Sequence, residues 1–400
     1  MATRRAVVVG AGIIGLMCAR ELARRGLAVT VVDGGEPGAS DGNTGLVTPS
    51  FSGPLPAPGA IRQAIRRNSP LAIPPSSLPG LAAWLLRFAS HCNPRAYMAG
   101  LEAVAALARP TMALYDELGG LAFQMHRQGL LFAFRTRGTA SYALADLEML
   151  HGLGYARPRP VGRDELRALE PAVSADRGIF VEGERHVRAE QLAAALAKQL
   201  PIVRGTVTGF VRRGRTVCAA LADDGRPIEA DCFVLAAGVR SGALTRALGW
   251  RLPLAAGRGY SLTVAQPSLR LRQPLYLDEA KVACSPFADA LRLAGTLELT
   301  CPGRPPDPRR LALLRRSADA WLPGWDAGAG VASWSGMRPL TPDGLPVIGA
   351  VPGSDNAFIA TGHAMLGMTL APVTARGIAD LVCTGDSDLP LGPFRPARAY

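Results

Sequence analysis

The stretch Ala6-Val7-Val8-Val9-Gly10-Ala11-Gly12-Ile13-Ile14-Gly15, followed by Leu16 to Arg25 and then Ala28-Val29-Thr30-Val31-Val32-Asp33, decides the fold. The first four residues are apolar and mostly β-branched, so they read as a short strand buried on both faces of a parallel sheet. A G-x-G-x-x-G turn follows at once, and an amphipathic helix runs from Leu16 to Arg25 before Gly26 ends it. The second strand closes on Asp33, 18 residues beyond Gly15. Each part has a task in a dinucleotide site. Gly10 permits the tight turn, Gly12 lets backbone approach a pyrophosphate, and Gly15 lets helix and strand pack closely. The N–H groups at the helix start, around Ile13 and Ile14, face the phosphates. Asp33 stands where an acid accepts hydrogen bonds from ribose hydroxyls. An acid rather than an arginine argues against a 2′-phosphate, and so against NADP.

A nicotinamide domain would continue as further βα units. Residues 34–60 are instead rich in Gly, Ser, Pro and Asn, and they read as a loop well supplied with backbone donors, including Gly34, Ser40, Asn43, Thr44 and Gly45. Much later, Cys232-Phe233-Val234-Leu235-Ala236-Ala237-Gly238 forms a second buried strand ending in small residues. Near the end stand Arg338-Pro339-Leu340-Thr341-Pro342-Asp343-Gly344 and Gly362-His363-Ala364-Met365-Leu366-Gly367, the latter running into a helical pattern from Leu370 to Val382. One ligand long enough to touch the first, middle and last parts of the chain is FAD.

At 400 residues, with 48% hydrophobic and 19% charged residues, the chain suits two or three domains with a sizeable core, and disorder is excluded. No apolar run is long enough to span a membrane as a helix. The net charge of +12 raises nucleic acid as a partner, but only Lys198 and Lys281 of the 44 basic residues are lysines, and the arginines are scattered. Without interleaved aromatic and basic runs, a solvated surface is the better reading, and no nucleic acid is expected. Weak contact with an anionic membrane surface stays open. The seven cysteines lack a C-x-x-C pair, so neither a disulfide framework nor a zinc site is expected and a cytoplasmic, reducing compartment is the default. Arg4-Arg5 before an apolar stretch mimics a signal peptide, but the regularly spaced glycines favour the nucleotide turn.

With these residues in hand, the chain resembles the FAD-dependent D-amino-acid oxidase (DAO) superfamily, and most of all its bacterial D-amino-acid dehydrogenase branch, which includes D-hydroxyproline dehydrogenases. The resemblance runs almost end to end. Besides the glycine turn it rests on Ser40 to Gly45, Pro56-Ala57-Pro58-Gly59, Gly257-Arg258-Gly259-Tyr260, Lys281-Val282-Ala283, Ser335-Gly336-Met337-Arg338-Pro339 and Gly362 to Gly367. It implies an α/β, Rossmann-type FAD-binding domain built discontinuously from residues 1–52, 155–247 and 335–400. An α+β substrate domain, an antiparallel sheet with helices, would comprise 53–154 and 248–334. Periodicity agrees: Leu130 to Phe134, Tyr260 to Val264 and Leu291 to Gly295 look like strands, while Leu81 to Phe88, Leu101 to Leu118 and Glu190 to Leu200 look helical. The resemblance also implies that Val207 meets adenine through its backbone.

Oxidising an α-amino acid mainly requires holding its Cα–H bond against flavin N5. With the amine neutral, its lone pair assists hydride departure, so no protein base is compulsory. The carboxylate is the natural handle, and a guanidinium grips it with two parallel hydrogen bonds. The resemblance assigns that role to Arg338; pairing with Asp343 is the alternative. His363 is a candidate partner of the isoalloxazine or the substrate, or else orders a cofactor loop. Tyr260 and Tyr276 are candidate pocket residues that also suit sheet packing, and Arg258 and Gly259 are expected by the flavin or its entrance. Two departures stand out. Ala283-Cys284-Ser285-Pro286 occupies the place of a Tyr-x-x-Pro found in several amino-acid oxidases. Arg292 lies near the place of the lysine that sarcosine-type oxidases use for oxygen, and residues 335–345 lack a cysteine for flavin attachment. Both of the latter favour non-covalent FAD and an acceptor other than oxygen, such as a quinone or a partner redox subunit. The expected reaction is dehydrogenation of a D-amino acid, cyclic ones included. The alternatives left open are an O2-using glycine or sarcosine-type amine oxidase and the flavin subunit of a hetero-oligomer.

Overall fold

The computed structural model describes residues 3–36, 38–64, 69–398 and 400. The Arg5–Val9 strand carries four consecutive buried residues, so both of its faces must be covered. It lies inside a six-stranded sheet in the order Ile202–Arg204, Ala28–Asp33, Arg5–Val9, Cys232–Leu235, Ala357–Thr361, Val347–Ala350. The first five strands run parallel and the last antiparallel. On one face, Val8, Val31, Val234 and Ala360 pack against the helices Ile13–Arg24, Ala189–Ala197 and Gly367–Thr384. On the other, Val7, Phe233 and Ile359 meet a small three-stranded sheet, 207–229, and the helix Ser241–Ala247. First, middle and last parts of the chain thus meet in one sheet. The glycine-bearing turns at 10, 34, 238 and 362 all follow the carboxyl ends of its parallel strands, where open α/β sheets bind ligands.

A second sheet of nine strands is mostly antiparallel, in the order Gly330–Leu340, Ala255–Ala265, Ala290–Thr300, Val282–Pro286, Leu275–Leu277, Leu130–Phe134, Arg177–Val181, Arg159–Val161, with Leu71–Ala72 beside Ala290–Thr300. Two of its pairings are parallel, Leu275–Leu277 with Leu130–Phe134 and Ala290–Thr300 with Leu71–Ala72. Arg159–Val161 and Arg177–Val181 pair in this sheet, although the sequence division groups 155–247 with the nucleotide unit. Side chains alternate across a strand, so the sheet has two distinct faces. Leu131, Leu275, Cys284, Leu293 and Leu262 form a core behind it with the helix Pro308–Trp321. Phe132, Tyr276, Ala283, Ala294 and Ser261 stand at paired positions of the opposite face.

The expected helix over Leu101 to Leu118 is two helices, Pro94–Ala108 and Thr111–Asp116. Pro110 explains the break, because it has no N–H to donate and its ring crowds the preceding turn. Among the described residues no helix is long and apolar enough to cross a membrane, and no group of ligating side chains is arranged to hold a metal ion.

Candidate active site

The nucleotide turn is shaped by what it excludes. Gly10 has φ +109°, and a Cβ there would fall 2.5 Å from Ala236 O. One on Gly15 would fall 1.9 Å from Gly10 O, so helix and turn touch backbone to backbone. On Gly12 it would meet nothing nearer than Ser40 Oγ at 3.8 Å, leaving the helix start open to a ligand. The Ile13–Arg24 helix has Gly12 as N-cap with no side-chain cap. Ile13 N donates to Ser40 Oγ (3.1 Å), and the remaining first-turn donors, Ile14 and Gly15 among them, have no partner within the helix. Asp33 is held by Ala11 N (2.8 Å) and Gly35 N (2.6 Å), which fix its carboxylate at the end of the second strand. Gly205 N donates to Asp33 O (3.0 Å), bringing the segment leading to Val207 alongside. Here lie two neighbours that sequence reading missed: a Cβ on Gly34 would meet Thr206 Oγ1 at 2.7 Å, and the Arg204 guanidinium covers Gly35. Further along the sheet edge, Gly238 has φ +55° and accepts a hydrogen bond from Thr361 (3.0 Å), next to Ala237.

From this edge the 40–45 loop leads to the second sheet. Gly45 has φ +76° and lies so close to Val187 O that a Cβ would reach 1.7 Å from it. Asn43 Oδ1 accepts from Gly45 N (2.8 Å), and Asn43 O accepts from Arg292 (2.9 Å). Arg292 in turn forms a two-point pair with Glu190 at 2.8 and 2.9 Å. Burial pushes Glu190 up, but its bonds from Arg292 and Arg188 outweigh that and bring its pKa down to about 2. Arg292 is therefore a neutralised strut from the second sheet to the loop and to the helix Ala189–Ala197.

Beyond the loop opens a cavity of about 450 Å³. Asn43, Thr44, Arg338, Leu366 and Thr369 line its inner part, and Phe51, Phe132 and Tyr276 its wall. Those three rings meet edge to face at 4.9, 4.9 and 5.7 Å. Arg338 sits opposite Gly257 in the sheet, and its guanidinium lies over Gly259, where a Cβ would come 2.5 Å from Cζ. Among the described residues no carboxylate pairs with Arg338. Asp343 pairs instead with Arg398, at 2.6 and 3.1 Å. Burial lowers the Arg338 pKa to about 10, still far above neutrality, so the cavity holds an uncompensated cation.

The helix Gly367–Thr384 begins at this cavity, and its N-terminal end favours negative charge there. Gly362, with φ +77°, turns the chain toward it. His363 points away from the cavity: Nε2 meets Thr374 Oγ1 (3.0 Å) inside that helix, and burial drops its pKa to about 3, leaving a neutral ring. That contact ties the 362–367 loop to the helix behind it. Tyr260 and Arg258 also lie elsewhere. The Tyr260 hydroxyl donates to Glu298 and accepts from Asp307 N (2.9 Å), and Arg258 donates to the carbonyls of Arg304 and Pro305, behind the sheet. The reason is parity: they alternate with Gly257, Gly259 and Ser261, which share the face of Arg338. Tyr276 does line the cavity, where burial pushes its phenol well above the ordinary value. Sequence reading also missed Phe51, Tyr97, Tyr142, Asp146 and Asp278, because they come from separate segments with no shared spacing.

The residues present fit FAD. The glycine turn would cradle the pyrophosphate, Asp33 the ribose, and the loop and helix start beside Arg338 the flavin ring. Ser261 Oγ and Trp334 Nε1, buried without partners among the described residues, lie at paired positions of the same sheet face. A dinucleotide cradle opening onto a cavity that holds a guanidinium with no carboxylate partner among the described residues fits a flavin-dependent oxidoreductase acting on a carboxylate.

The chain belongs to the DAO family of FAD-dependent oxidoreductases, whose family model matches residues 5–381. A D-amino acid dehydrogenase of Methylobacterium radiotolerans is 34% identical, over 97% of this chain and 99% of the relative. Among solved structures, glycine oxidase from Geobacillus kaustophilus superposes with a TM-score of 0.77 at 22% identity, covering 100% of both chains. L-Proline dehydrogenase from P. horikoshii superposes with 0.78 at 16% identity, covering 98% of this chain and 97% of that one.

Proposed function

We propose that this chain is an FAD-dependent dehydrogenase of D-amino acids, cyclic ones of the proline or hydroxyproline type included. The observation that carries the reading is Arg338, a half-buried guanidinium facing the cavity without a carboxylate partner among the described residues. Full-length similarity to D-amino acid dehydrogenases supports the substrate class. FAD, when bound without a covalent link, supplies the two-electron acceptor for the Cα–H bond at its N5 position. The chain itself contributes orientation. Arg338 grips the carboxylate in two-point fashion, Gly259 leaves room for the guanidinium, and the Phe51, Phe132 and Tyr276 rings give the cavity an apolar wall for the substrate side chain. The amine enters neutral and its lone pair drives hydride departure. The product is an imino acid, which hydrolyses to a 2-oxo acid or persists as a cyclic imine.

The reading extends to organisation and electron transfer. The six-stranded sheet would be the core of the FAD-binding unit and the nine-stranded sheet that of the substrate unit, with 159–181 in the latter. Arg292, neutralised by Glu190, supports an acceptor other than oxygen: a quinone or a partner redox subunit. Exposed Leu78 and Leu86 beside Arg87, on the Leu78–His91 helix, support peripheral contact with an anionic membrane surface.

Anaerobic addition of D-amino acids, L-amino acids, glycine and sarcosine to the yellow protein tests the proposal. Bleaching by D-amino acids, persisting in air until a quinone or dye is added, is expected. Bleaching by glycine or sarcosine alone, with peroxide formed in air, would replace this reading with that of an amine oxidase.

A further inference from the structure

The cavity that holds Arg338 carries the opposite charge at its far side. Asp146 and Asp278 both line it there, with Lys281 the cation beside them. Lys281 is already engaged, donating to Asp278 at 2.9 Å. Asp146 has no hydrogen-bond or ion-pair partner among the described residues, and two carboxylates facing one ammonium leave a formal charge of −1. Tyr97 and Tyr142 line the same region, and aromatic faces are attractive to cations, whereas the Tyr276 ring already has the Lys281 ammonium 5.9 Å from its centre. Burial raises the Asp146 pKa with Lys281 opposing, as expected of a carboxylate whose charge is incompletely met.

The two ends are well separated. Arg338 stands on the first strand of the sheet and Tyr276, next to Asp278, on the fifth. With strands about 4.8 Å apart, four spacings come to about 19 Å. The guanidinium reaching out from Arg338 shortens that gap, and what remains calls for a long substrate side chain rather than a methyl group.

We propose that the acidic side of the cavity is the side-chain subsite, and that it selects D-amino acids whose long side chain ends in an amine or a guanidinium, with Asp146 as the counter-charge. The inference rests on the D-amino-acid reading and narrows it. Bound this way, the substrate meets a cation at its carboxylate and an anion at its tip, with its apolar methylenes along Phe51 and Phe132.

The test compares kcat/KM for D-lysine and D-arginine with that for D-norleucine, an uncharged chain of similar length, in the FAD-loaded protein with an artificial acceptor. The wild type is expected to favour the cationic substrates at least about tenfold, as a hydrogen bond between charged groups in a half-buried site allows. Asp146→Asn is expected to bring the ratio close to one; because it is a ratio, a lower yield of active protein does not distort it. Equal turnover of D-norleucine and D-lysine by the wild type overturns the proposal without any variant. So does a preference that survives in Asp146→Asn. Bleaching by L-amino acids or N-substituted glycines in place of every D-amino acid removes the underlying reading instead, and the subsite assignment with it.

Discussion

Arg338 shows what a single residue can reveal in a sequence with 42 arginines. The family resemblance carried by Ser335-Gly336-Met337-Arg338-Pro339 marked it, but only the structure separates it from the arginines that saturate carboxylates, since Asp343 is taken by Arg398. A guanidinium left without a protein partner in a half-buried site costs stability, and that cost supports the proposal that Arg338 is kept for a substrate carboxylate. Arg338→Met should retain FAD and its visible spectrum yet lose about 10³ in kcat/KM for D-amino acids, two charged hydrogen bonds at about 2 kcal/mol each. Arg338→Lys keeps the charge without the two-point geometry and should fall between the two. Steady-state kinetics with an artificial acceptor measures both. A Met variant with wild-type KM would show that the carboxylate is held elsewhere. Tyr260 and His363 are the counter-example: both residue types suit the chemistry, and both are turned into the protein by hydrogen bonds that no linear pattern displays.

At the scale of elements, the strand, glycine turn, helix, strand and Asp33 are legible because every step is local and each glycine answers to its own neighbours. The long strand Ala255–Ala265 is not, since its faces are assigned by two partner strands 25 to 85 residues away and by a bulge opposite Gly259 and Tyr260. Thr296 takes up that bulge with φ +58°, beside the cavity. The parity that results makes Gly259, quoted from the sequence as a cofactor residue, a platform for Arg338. Gly259→Ala should therefore raise KM by roughly tenfold or more while FAD stays bound, because the new methyl displaces the guanidinium rather than the flavin. Gly10→Ala should do the reverse. With φ +109° and Ala236 O at 2.5 Å from its new Cβ, it should cost FAD occupancy and stability together, read as loss of the yellow colour and a lower Tm.

At the scale of the molecule, the site is assembled from pieces that the chain separates by hundreds of residues, and buried polar groups pin them. Arg292 with Glu190 is one such pin, and Glu184 is another. Glu184 lies between Arg177–Val181 of the nine-stranded sheet and the short strand Arg185–Val187, and accepts hydrogen bonds from Ser50 N (3.1 Å) and the Ser50 hydroxyl, under the turn that presents Phe51 to the cavity. Burial pushes its pKa from 4.5 to about 8, the bonds from Ser50 opposing, so the folded protein carries it protonated at neutral pH. A raised folded-state pKa has a definite sign. The stability contributed is fully present below about pH 4.5 and is lost as pH climbs through about 8, because only the folded state binds the proton in that window. The loss should be of the order of a few kcal/mol. Denaturant unfolding of the FAD-loaded protein between pH 5 and 9 should show this decline in the wild type, and Glu184→Gln, which cannot ionise but can still accept from Ser50, should flatten it. A parallel decline in both proteins would mean that another group titrates, and that the turn carrying Phe51 does not depend on a neutral Glu184.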